Sequence, residues 1–343
     1  MREATGPTVG IVANPLAGKD VRRLTSGVTP VSDAVKIGAI RRAVVGAFEG
    51  GAERVLISGD RSRLGDRALA GLDPSGPVEV LEPHGWHTGR DSQLAAARFC
   101  ELGVGAVIAL GGDGTQRDVA KGWRNVPLVP LAVGTNNVFP SQLEATVAGF
   151  AAGAVASGLG VAAEVTAQAK IIDITLESSG GADVALVDVC LVRGSFVGAR
   201  AVWESASVSE IVAAIAEPPS VGLSAIAAAV APVGRHEAGG VHVRLGCASK
   251  NAQRSRRIRA AVMPGSYSDV DIEHCERLRF EQPVTLWGPG VLTLDGERET
   301  VLGRGERADV AVNSNGPQVI DVGAVVAAAQ RRRYPFVPVV ADG

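Results

Sequence analysis

The chain contains 343 residues, a length that suggests two domains at about 150 residues each. Hydrophobic residues account for 46% and charged residues for 20%, which permits a sizeable core and excludes a disordered chain. The formal net charge of -2 argues against a nucleic-acid partner recruited by overall charge.

Apolar strands alternate with helices along the first 141 residues. The predicted strands are Thr8–Asn14, Arg54–Ser58, Val78–Leu81, Ala106–Leu110 and Leu128–Val133. The predicted helices are Ser32–Phe48, Leu64–Leu72, Thr88–Leu102 and Arg117–Trp123. This alternation indicates βαβ units, which build a doubly wound parallel sheet with helices on both faces. Residues 1–141 are therefore predicted to form an α/β domain.

The pattern changes after a helix predicted at Gln142–Ser157. Two more helices are predicted at Val208–Ala216 and Ser220–Val230. The strand-like runs are Lys170–Glu177, Asp183–Arg193, Val241–Gly246, Arg257–Met263, Ser268–Ile272, Leu278–Phe280, Val284–Trp287, Val291–Leu294 and Asp309–Val312. Short strands between turns favour an antiparallel, sandwich-like β-rich domain over residues 142–312. Residues 313–343 hold one short strand and one helix, which we expect to pack back onto the first domain.

Two uncharged stretches, Ala145–Ala163 and Pro218–Gly234, approach the length of a membrane span. Both are rich in Ala and Gly and poor in Leu, Ile and Phe, so buried helices are the favoured interpretation. The four cysteines are widely spaced and no secretory leader is recognised. A reduced cytoplasmic compartment without membrane attachment is therefore expected.

The GGDGT segment, Gly111–Thr115, follows the predicted strand Ala106–Leu110 and opens onto a helix. Ligands of doubly wound sheets bind at the carboxyl ends of strands. Glycines there let backbone N–H groups approach anionic oxygens, and the helix N-terminus adds a favourable dipole. Asp113 is the only ionisable side chain of the GGDGT segment, and its carboxylate is suited to accepting a proton or helping to hold Mg²⁺. A tight turn with Thr115 as the N-cap is the alternative interpretation.

Two more loops end neighbouring strands at the same predicted edge. The GTNN segment, Gly134–Asn137, offers adjacent carboxamides that suit ribose or phosphate oxygens, or an Asx-turn before a helix. The NPLAGK segment, Asn14–Lys19, lacks the Walker spacing but places Lys19 where it could contact a phosphate. Three such loops together indicate a phosphate-binding edge.

These segments resemble the NAD kinase and diacylglycerol kinase superfamily, closest to an ATP-NAD kinase subgroup related to the acetoin-catabolism X protein. ALVDV at 185–189, GLSAI at 222–226 and LDGE at 294–297 continue the resemblance in the family's order. The resemblance implies a cytoplasmic phosphotransferase that uses ATP and Mg²⁺, with its site between the two domains. Homo-oligomers are usual in that family, and the second domain would then serve acceptor binding and oligomerisation.

Residue roles are carried over from the resemblance. Asp113 is the predicted general base, and Asp188 and Ser224 are predicted to bind the acceptor. The residues predicted to bind the nucleotide and its phosphates are Asn14, Gly18, Lys19, Gly111, Gly112, Gly114, Thr115, Gly134, Thr135, Asn136 and Asn137.

The acceptor side departs from the family pattern. NAD kinases read Asn-Glu where this chain has Val187 and Asp188, and Tyr where it has Ile226. Without the carboxamide of Asn, a polar group of the ligand would lack its hydrogen-bond partner, which costs about 1–3 kcal/mol of binding free energy. The predicted acceptor is therefore the 2′-hydroxyl of NAD or a related hydroxyl. A kinase for another small alcohol, sugar or nucleoside and a non-catalytic nucleotide sensor are the alternatives.

Other candidates carry weaker predictions. Asp295 precedes Gly296 between two strand-like runs, so a hairpin turn is favoured, with Asp295 or Glu297 facing the site as the alternative. His84 and His87 lack the further nearby ligands that a zinc site requires, although they could line the nucleotide cleft.

Overall fold

The structure is a computed structural model and describes residues 6–19, 30–86, 88–133, 137–158, 162–178, 180–193, 207–246 and 256–333. Among these residues the helices are α1 (Asp33–Glu49), α2 (Leu64–Leu69), α3 (Gly89–Glu101), α4 (Asp113–Gly122), α5 (Ala145–Ala156), α6 (Ala162–Val165), α7 (Ser224–Val230) and α8 (Val322–Arg333). Every helix but α7 lies before residue 166 or after residue 321, so helices and strands are largely segregated along the chain.

A seven-stranded sheet organises the N-terminal region. Its strands are β1 (Thr8–Ala13), β2 (Arg54–Ile57), β3 (Val78–Val80), β4 (Ala106–Gly111), β5 (Pro127–Ala132), β6 (Thr166–Gln168) and β18 (Gln318–Ile320). They lie in the order β3-β2-β1-β4-β5-β18-β6, and all pairings are parallel except that of β18 with β6. The order reverses between β1 and β4, which is where ligands bind in such sheets.

Helices cover both faces of this sheet. One core cluster joins β1 and β4 to α1, α2, α5 and α8, and another joins them to α3 and α4. Glycines let α1 and α5 approach closely: an added Cβ at Gly46 would lie 1.9 Å from the Thr146 carbonyl oxygen, and one at Gly149 would lie 2.2 Å from that of Ala43. The predicted doubly wound α/β architecture is confirmed.

The remaining strands form two antiparallel sheets. Their strands are β7 (Ile171–Leu176), β8 (Ala182–Ala185), β9 (Asp188–Val192), β10 (Val208–Ala213), β11 (Gly240–Leu245), β12 (Arg256–Met263), β13 (Ser266–Leu278), β14 (Pro283–Trp287), β15 (Gly290–Leu294), β16 (Glu297–Leu302) and β17 (Arg307–Asn313). One sheet has the order β12-β13-β11-β10-β9-β15-β16 and the other β14-β17-β7-β8. Their apolar core is continuous with the side chains of α3 and α4, so the predicted strand-rich C-terminal region is confirmed and packs directly on the first.

The helix predicted at Val208–Ala216 is wrong. Residues Val208–Ala213 form β10, which pairs with β9 on one side and β11 on the other. Five of its six residues are buried, so both faces are covered and the alternation that marks a strand is lost. Strand pairing overrides the helical propensity of the alanines. The predicted strands Ser268–Ile272 and Leu278–Phe280 also differ from the structure, because β13 runs through the former and ends at Leu278.

None of the helices in the described ranges combines the length and apolar character needed to cross a membrane. The stretch at 145–163 contributes α5, and the stretch at 218–234 contributes α7.

Candidate functional site at the edge of the parallel sheet

The loop after β1 and the helix after β4 meet at the point where the strand order reverses. Asn14 donates from Nδ2 to Thr115 Oγ1 at 2.9 Å, and its backbone N–H donates to the Leu110 carbonyl oxygen at 3.2 Å. The Asn14 Oδ1 accepts from the Leu16 N–H at 2.8 Å. The NPLAGK and GGDGT segments therefore form one unit, fixed by a side chain that sequence reasoning assigned to the nucleotide.

Asp113 is the first residue of α4, with Gly112 as the N-cap. Its Oδ1 accepts the N–H of Val138 at 3.0 Å and that of Phe139 at 2.8 Å. Its Oδ2 lies 3.2 Å from the Val138 nitrogen. The predicted loop thus ends at Gly112, and Asp113, Gly114 and Thr115 occupy the first helical turn. The half-buried Asp113 carboxylate joins the β4–α4 junction to the segment after the GTNN sequence.

The glycines of the GGDGT segment admit three polar side chains. An added Cβ would lie 2.3 Å from Thr115 Oγ1 at Gly111, 2.9 Å from Asn137 Oδ1 at Gly112, and 3.0 Å from Glu297 Oε1 at Gly114. A larger residue at any of these positions would displace one of those oxygens. Asn137 therefore lies beside the GGDGT segment, whereas Gly134, Thr135 and Asn136 lie outside the described residues.

Lysines hold the NPLAGK segment on two sides. The Lys19 ammonium lies 2.9 Å from Asp33 Oδ1, and its hydrogen bond holds the pKa of Asp33 below the ordinary value. Gly18 has a φ of 73°, which favours glycine. The fully buried Lys36 donates to the Pro15 carbonyl oxygen. Sequence reasoning missed Lys36, whose only signal is a lysine within an otherwise apolar helix face.

The hairpin between β15 and β16 reaches the same place. Arg117 of α4 is 2% exposed, donates to the Leu294 carbonyl oxygen at 2.6 Å and lies 3.3 Å from Glu297 Oε2. Asp295, with a φ of 52°, begins the turn between these two residues. Sequence reasoning favoured a hairpin turn here, and the hairpin exists. Its Glu297 side chain contacts Arg117 and lies beside Gly114 of α4.

Asp295 is buried and collects backbone donors. Its Oδ1 accepts the N–H groups of Leu186 at 3.1 Å, Val187 at 2.8 Å and Asp188 at 3.3 Å. Burial raises the pKa of Asp295 to about 7; the Arg117 charge and the backbone donors oppose the rise, while the Asp113 charge adds to it. Two carboxylates from different regions of the chain therefore interact electrostatically at this edge.

The predicted acceptor residues separate. Asp188 is 4% exposed, begins β9, and its carbonyl oxygen accepts the Asp295 N–H at 2.9 Å, so it adjoins the hairpin. Ser224 is 1% exposed in the first turn of α7, whose neighbours belong to the core around β10 and β11. Contact between Ser224 and an acceptor stays a prediction. His84 is exposed, and His87 lies outside the described residues.

The arrangement suits a nucleotide polyphosphate that carries a divalent cation. Small backbone groups and the N-terminus of α4 suit phosphate oxygens, while Asp113 and Glu297 supply carboxylates. Over the described ranges no three His, Cys, Asp or Glu side chains form a complete metal site. Mg²⁺ is commonly held by one or two carboxylates plus substrate phosphates, so the residues present fit that mode.

Comparisons with known proteins identify related families. The model of the ATP-NAD kinase N-terminal domain matches residues 64–158, and that of the acetoin catabolism protein X C-terminal domain matches residues 170–315. Acetoin catabolism protein X from Cupriavidus necator is 33% identical over 336 residues, which cover 95% of this chain and 93% of the relative.

Among solved structures, yeast NADH kinase shows the fold of this chain. Yeast NADH kinase complexed with NADH has a TM-score of 0.53 at 12% identity, covering 98% of this chain and 91% of that one. A putative diacylglycerol kinase from Bacillus anthracis str. Sterne has a TM-score of 0.45 at 12% identity, covering 92% and 97%. The NADH kinase match supports a kinase-like fold for the whole chain.

Proposed function

The chain belongs to the family of acetoin catabolism protein X. We propose that it is an ATP-dependent kinase that phosphorylates a hydroxyl group of a small molecule. The observation that supports the proposal best is the Asp113 carboxylate, fixed by two backbone N–H groups at a glycine-lined strand end. The ATP-NAD kinase match over residues 64–158 includes this strand end.

Asp113 is the proposed general base. Its carboxylate accepts the proton of the acceptor hydroxyl while the hydroxyl oxygen forms a bond to the terminal phosphorus of ATP. The bond between that phosphorus and the bridging oxygen breaks, and ADP leaves with the electron pair. Positioning supplies most of the acceleration in such in-line transfers, so the N–H groups of Val138 and Phe139 matter because they orient the base.

The surrounding residues bind the polyphosphate. Gly111, Gly112, Gly114 and Thr115 would cradle phosphate oxygens at the N-terminus of α4, with Asn14 fixing Thr115. Glu297, whose carboxylate lies beside Gly114, would hold Mg²⁺. When bound, Mg²⁺ neutralises developing charge on those oxygens. Lys19 is 39% exposed and would exchange its Asp33 contact for a phosphate.

The acceptor is proposed to be the 2′-hydroxyl of NAD or another small alcohol. Val187 and Asp188 are both buried beside Asp295, so Val187 offers no carboxamide to an adenosine group. The name of the Cupriavidus necator relative refers to acetoin, itself a secondary alcohol. Acetoin, polyols, sugars and nucleosides therefore belong in the acceptor panel beside NAD.

The test is ADP release from ATP and Mg²⁺ with each acceptor, in wild type and Asp113→Asn. We expect the variant to lose at least about 100-fold in kcat, as general-base loss does, with ATP affinity within a few-fold. Asp321→Asn is the matched control, since Asp321 also follows a parallel strand and its carboxylate accepts a backbone N–H, that of Ala324, at 2.9 Å.

Two results would count against the proposal. Wild-type rates in Asp113→Asn would remove Asp113 as the base. Thermal stabilisation by ATP without turnover of any acceptor would instead identify a nucleotide sensor.

A further inference from the structure

The loop of residues 231–239 connects α7 to β11 and extends from the β-rich region to the segment that holds Asp113. Arg235, at its centre, donates from Nη2 to the Val138 carbonyl oxygen at 3.0 Å and from Nη1 to the Phe139 carbonyl oxygen at 3.3 Å. These are the same two residues whose N–H groups bind the Asp113 carboxylate. The Val138–Phe139 backbone is therefore held through its donors on one side and its acceptors on the other.

Glu217 fixes the direction of the Arg235 guanidinium. Glu217 Oε2 lies 3.1 Å from Arg235 Nη2, while Oε1 lies 3.3 Å from Nε and accepts the Arg235 backbone N–H at 3.1 Å. Burial alone would raise the pKa of Glu217, yet the Arg235 bonds hold it below the ordinary value. A guanidinium whose Nε and Nη2 both bond to one carboxylate has little freedom, so its bonds to the two carbonyl oxygens are directional.

A buried lysine anchors the loop beneath Arg235. Lys170, 3% exposed, donates to the Gly234 carbonyl oxygen at 2.8 Å and to that of Gly239 at 3.1 Å. Ala216 and Val233 add a pair of backbone hydrogen bonds at 2.8 and 2.9 Å. The loop is thus tied to the β-rich region on both sides of Arg235.

We propose that Arg235 is a positioning residue for the transfer step: it holds the Val138–Phe139 backbone so that its N–H groups keep the Asp113 carboxylate aimed at the acceptor. The proposal rests on the proposed kinase activity. The β-rich region then contributes to the orientation of the base as well as to acceptor binding.

The experiment compares Arg235→Ala, Arg235→Lys and a control, Arg277→Ala. Arg277 makes the same kinds of bond from the opposite side of the same loop, to Glu237 Oε1 and the Pro232 carbonyl oxygen at 2.6 Å each, with no bond to Val138 or Phe139 among the described contacts. We expect Arg235→Ala to lower kcat by roughly 10- to 100-fold, since small misplacements of a catalytic group have that effect. KM for ATP should stay within about threefold, because the GGDGT glycines and Asn14 are untouched. Arg235→Lys should recover part of the loss, and Arg277→Ala should stay near wild type.

Amide hydrogen exchange gives a readout that does not depend on turnover. In Arg235→Ala the Val138 and Phe139 amides should exchange at least about tenfold faster, whereas in Arg277→Ala they should exchange at the wild-type rate. Unchanged exchange in Arg235→Ala, or a kcat loss matched by Arg277→Ala, would overturn the positioning role. Absence of acceptor-dependent turnover in wild type would refute the kinase proposal instead, and the exchange result would still decide whether Arg235 holds this backbone.

Discussion

Replacing the buried Asp295 by Asn tests the electrostatics at the meeting point of the two regions. Asn keeps one carbonyl oxygen at the place of Oδ1, which accepts the N–H groups of Leu186, Val187 and Asp188. Its amide nitrogen takes the place of Oδ2, 3.2 Å from the Leu186 nitrogen, and the cost of that contact between two donors does not vary with pH. The pH-dependent difference between the two proteins therefore reports the loss of ionisation. A folded-state pKa of about 7 against an ordinary value of 3.8 corresponds to ~4 kcal/mol between the two protonation states.

The sign follows from proton binding. Because the pKa of Asp295 is raised on folding, the native protein holds this proton at pH values where the unfolded chain has released it. The stability associated with it is complete below about pH 4 and is lost as the pH rises through 7. The free energy of unfolding of Asp295→Asn, relative to wild type, should therefore increase by about 2–3 kcal/mol between pH 5 and pH 8.

Urea unfolding of both proteins at a series of pH values measures that difference. Asp173→Asn is the control: burial opposes ionisation of Asp173, but bonds from Arg124 and Asn313 lower its pKa below the ordinary value, so its effect lies below pH 5. A wild-type-minus-variant difference for Asp295 that stays constant from pH 5 to pH 8 would refute the reasoning. It would mean that the backbone donors and Arg117 keep Asp295 ionised despite its burial.

Three further predictions concern stability. Gly46→Ala should lower the free energy of chemical unfolding by ~2–3 kcal/mol, because the added Cβ would lie 1.9 Å from the facing α5 backbone. The control Gly38→Ala, with only the end of a flexible arginine side chain 3.3 Å away, should be neutral or stabilising, and equal effects would contradict the close approach of α1 and α5. Burial lowers the pKa of Lys170 to about 8, so the native state loses this proton before the unfolded chain does, and wild-type stability should rise by up to ~3 kcal/mol between pH 8 and pH 10. Lys170→Met should lack that rise in urea unfolding, and a rise of the same size in the variant would assign it to other groups. Asn14→Ala removes the hydrogen bond to Thr115, which should lower the free energy of unfolding by ~1–2 kcal/mol and weaken ATP binding measured by calorimetry. Unchanged ATP binding would remove Asn14 from the phosphate site.

Local sequence patterns predicted the sheet edge but not the contacts across it. The alternation of strands and helices places the residues after β1 and β4 at one edge, and the comparisons confirm the fold. No local pattern predicts that Asp113 bonds to Val138 and Phe139, since they lie 25 and 26 positions after Asp113 and the bonds use their backbone N–H groups. Arg235 lies a further 96 positions from Phe139.

The misleading signals have physical causes. Asp295-Gly296 has the composition of an ordinary hairpin turn, and only its burial against Arg117 distinguishes it from others. The segment 208–216 carries alanines that suit a helix, and the burial of β10 on both faces hides the period of a strand. Lys36 and Lys170 belong to a residue type that is rarely buried, so their contacts depend on carbonyl oxygens supplied by distant loops.

The strand β18 has a consequence for how the polypeptide can be divided. It is hydrogen-bonded to β5 in parallel and to β6 in the opposite direction, so residues 318–320 fill a place between strands synthesised about 150 to 190 positions earlier. During translation the parallel sheet stays incomplete until residues 318–320 emerge from the ribosome, and until then β5 exposes unpaired backbone groups. A shortened protein that ends before Gln318 would carry that open edge permanently, and cutting the gene between the two regions would yield a fragment prone to self-association rather than an isolated nucleotide-binding half.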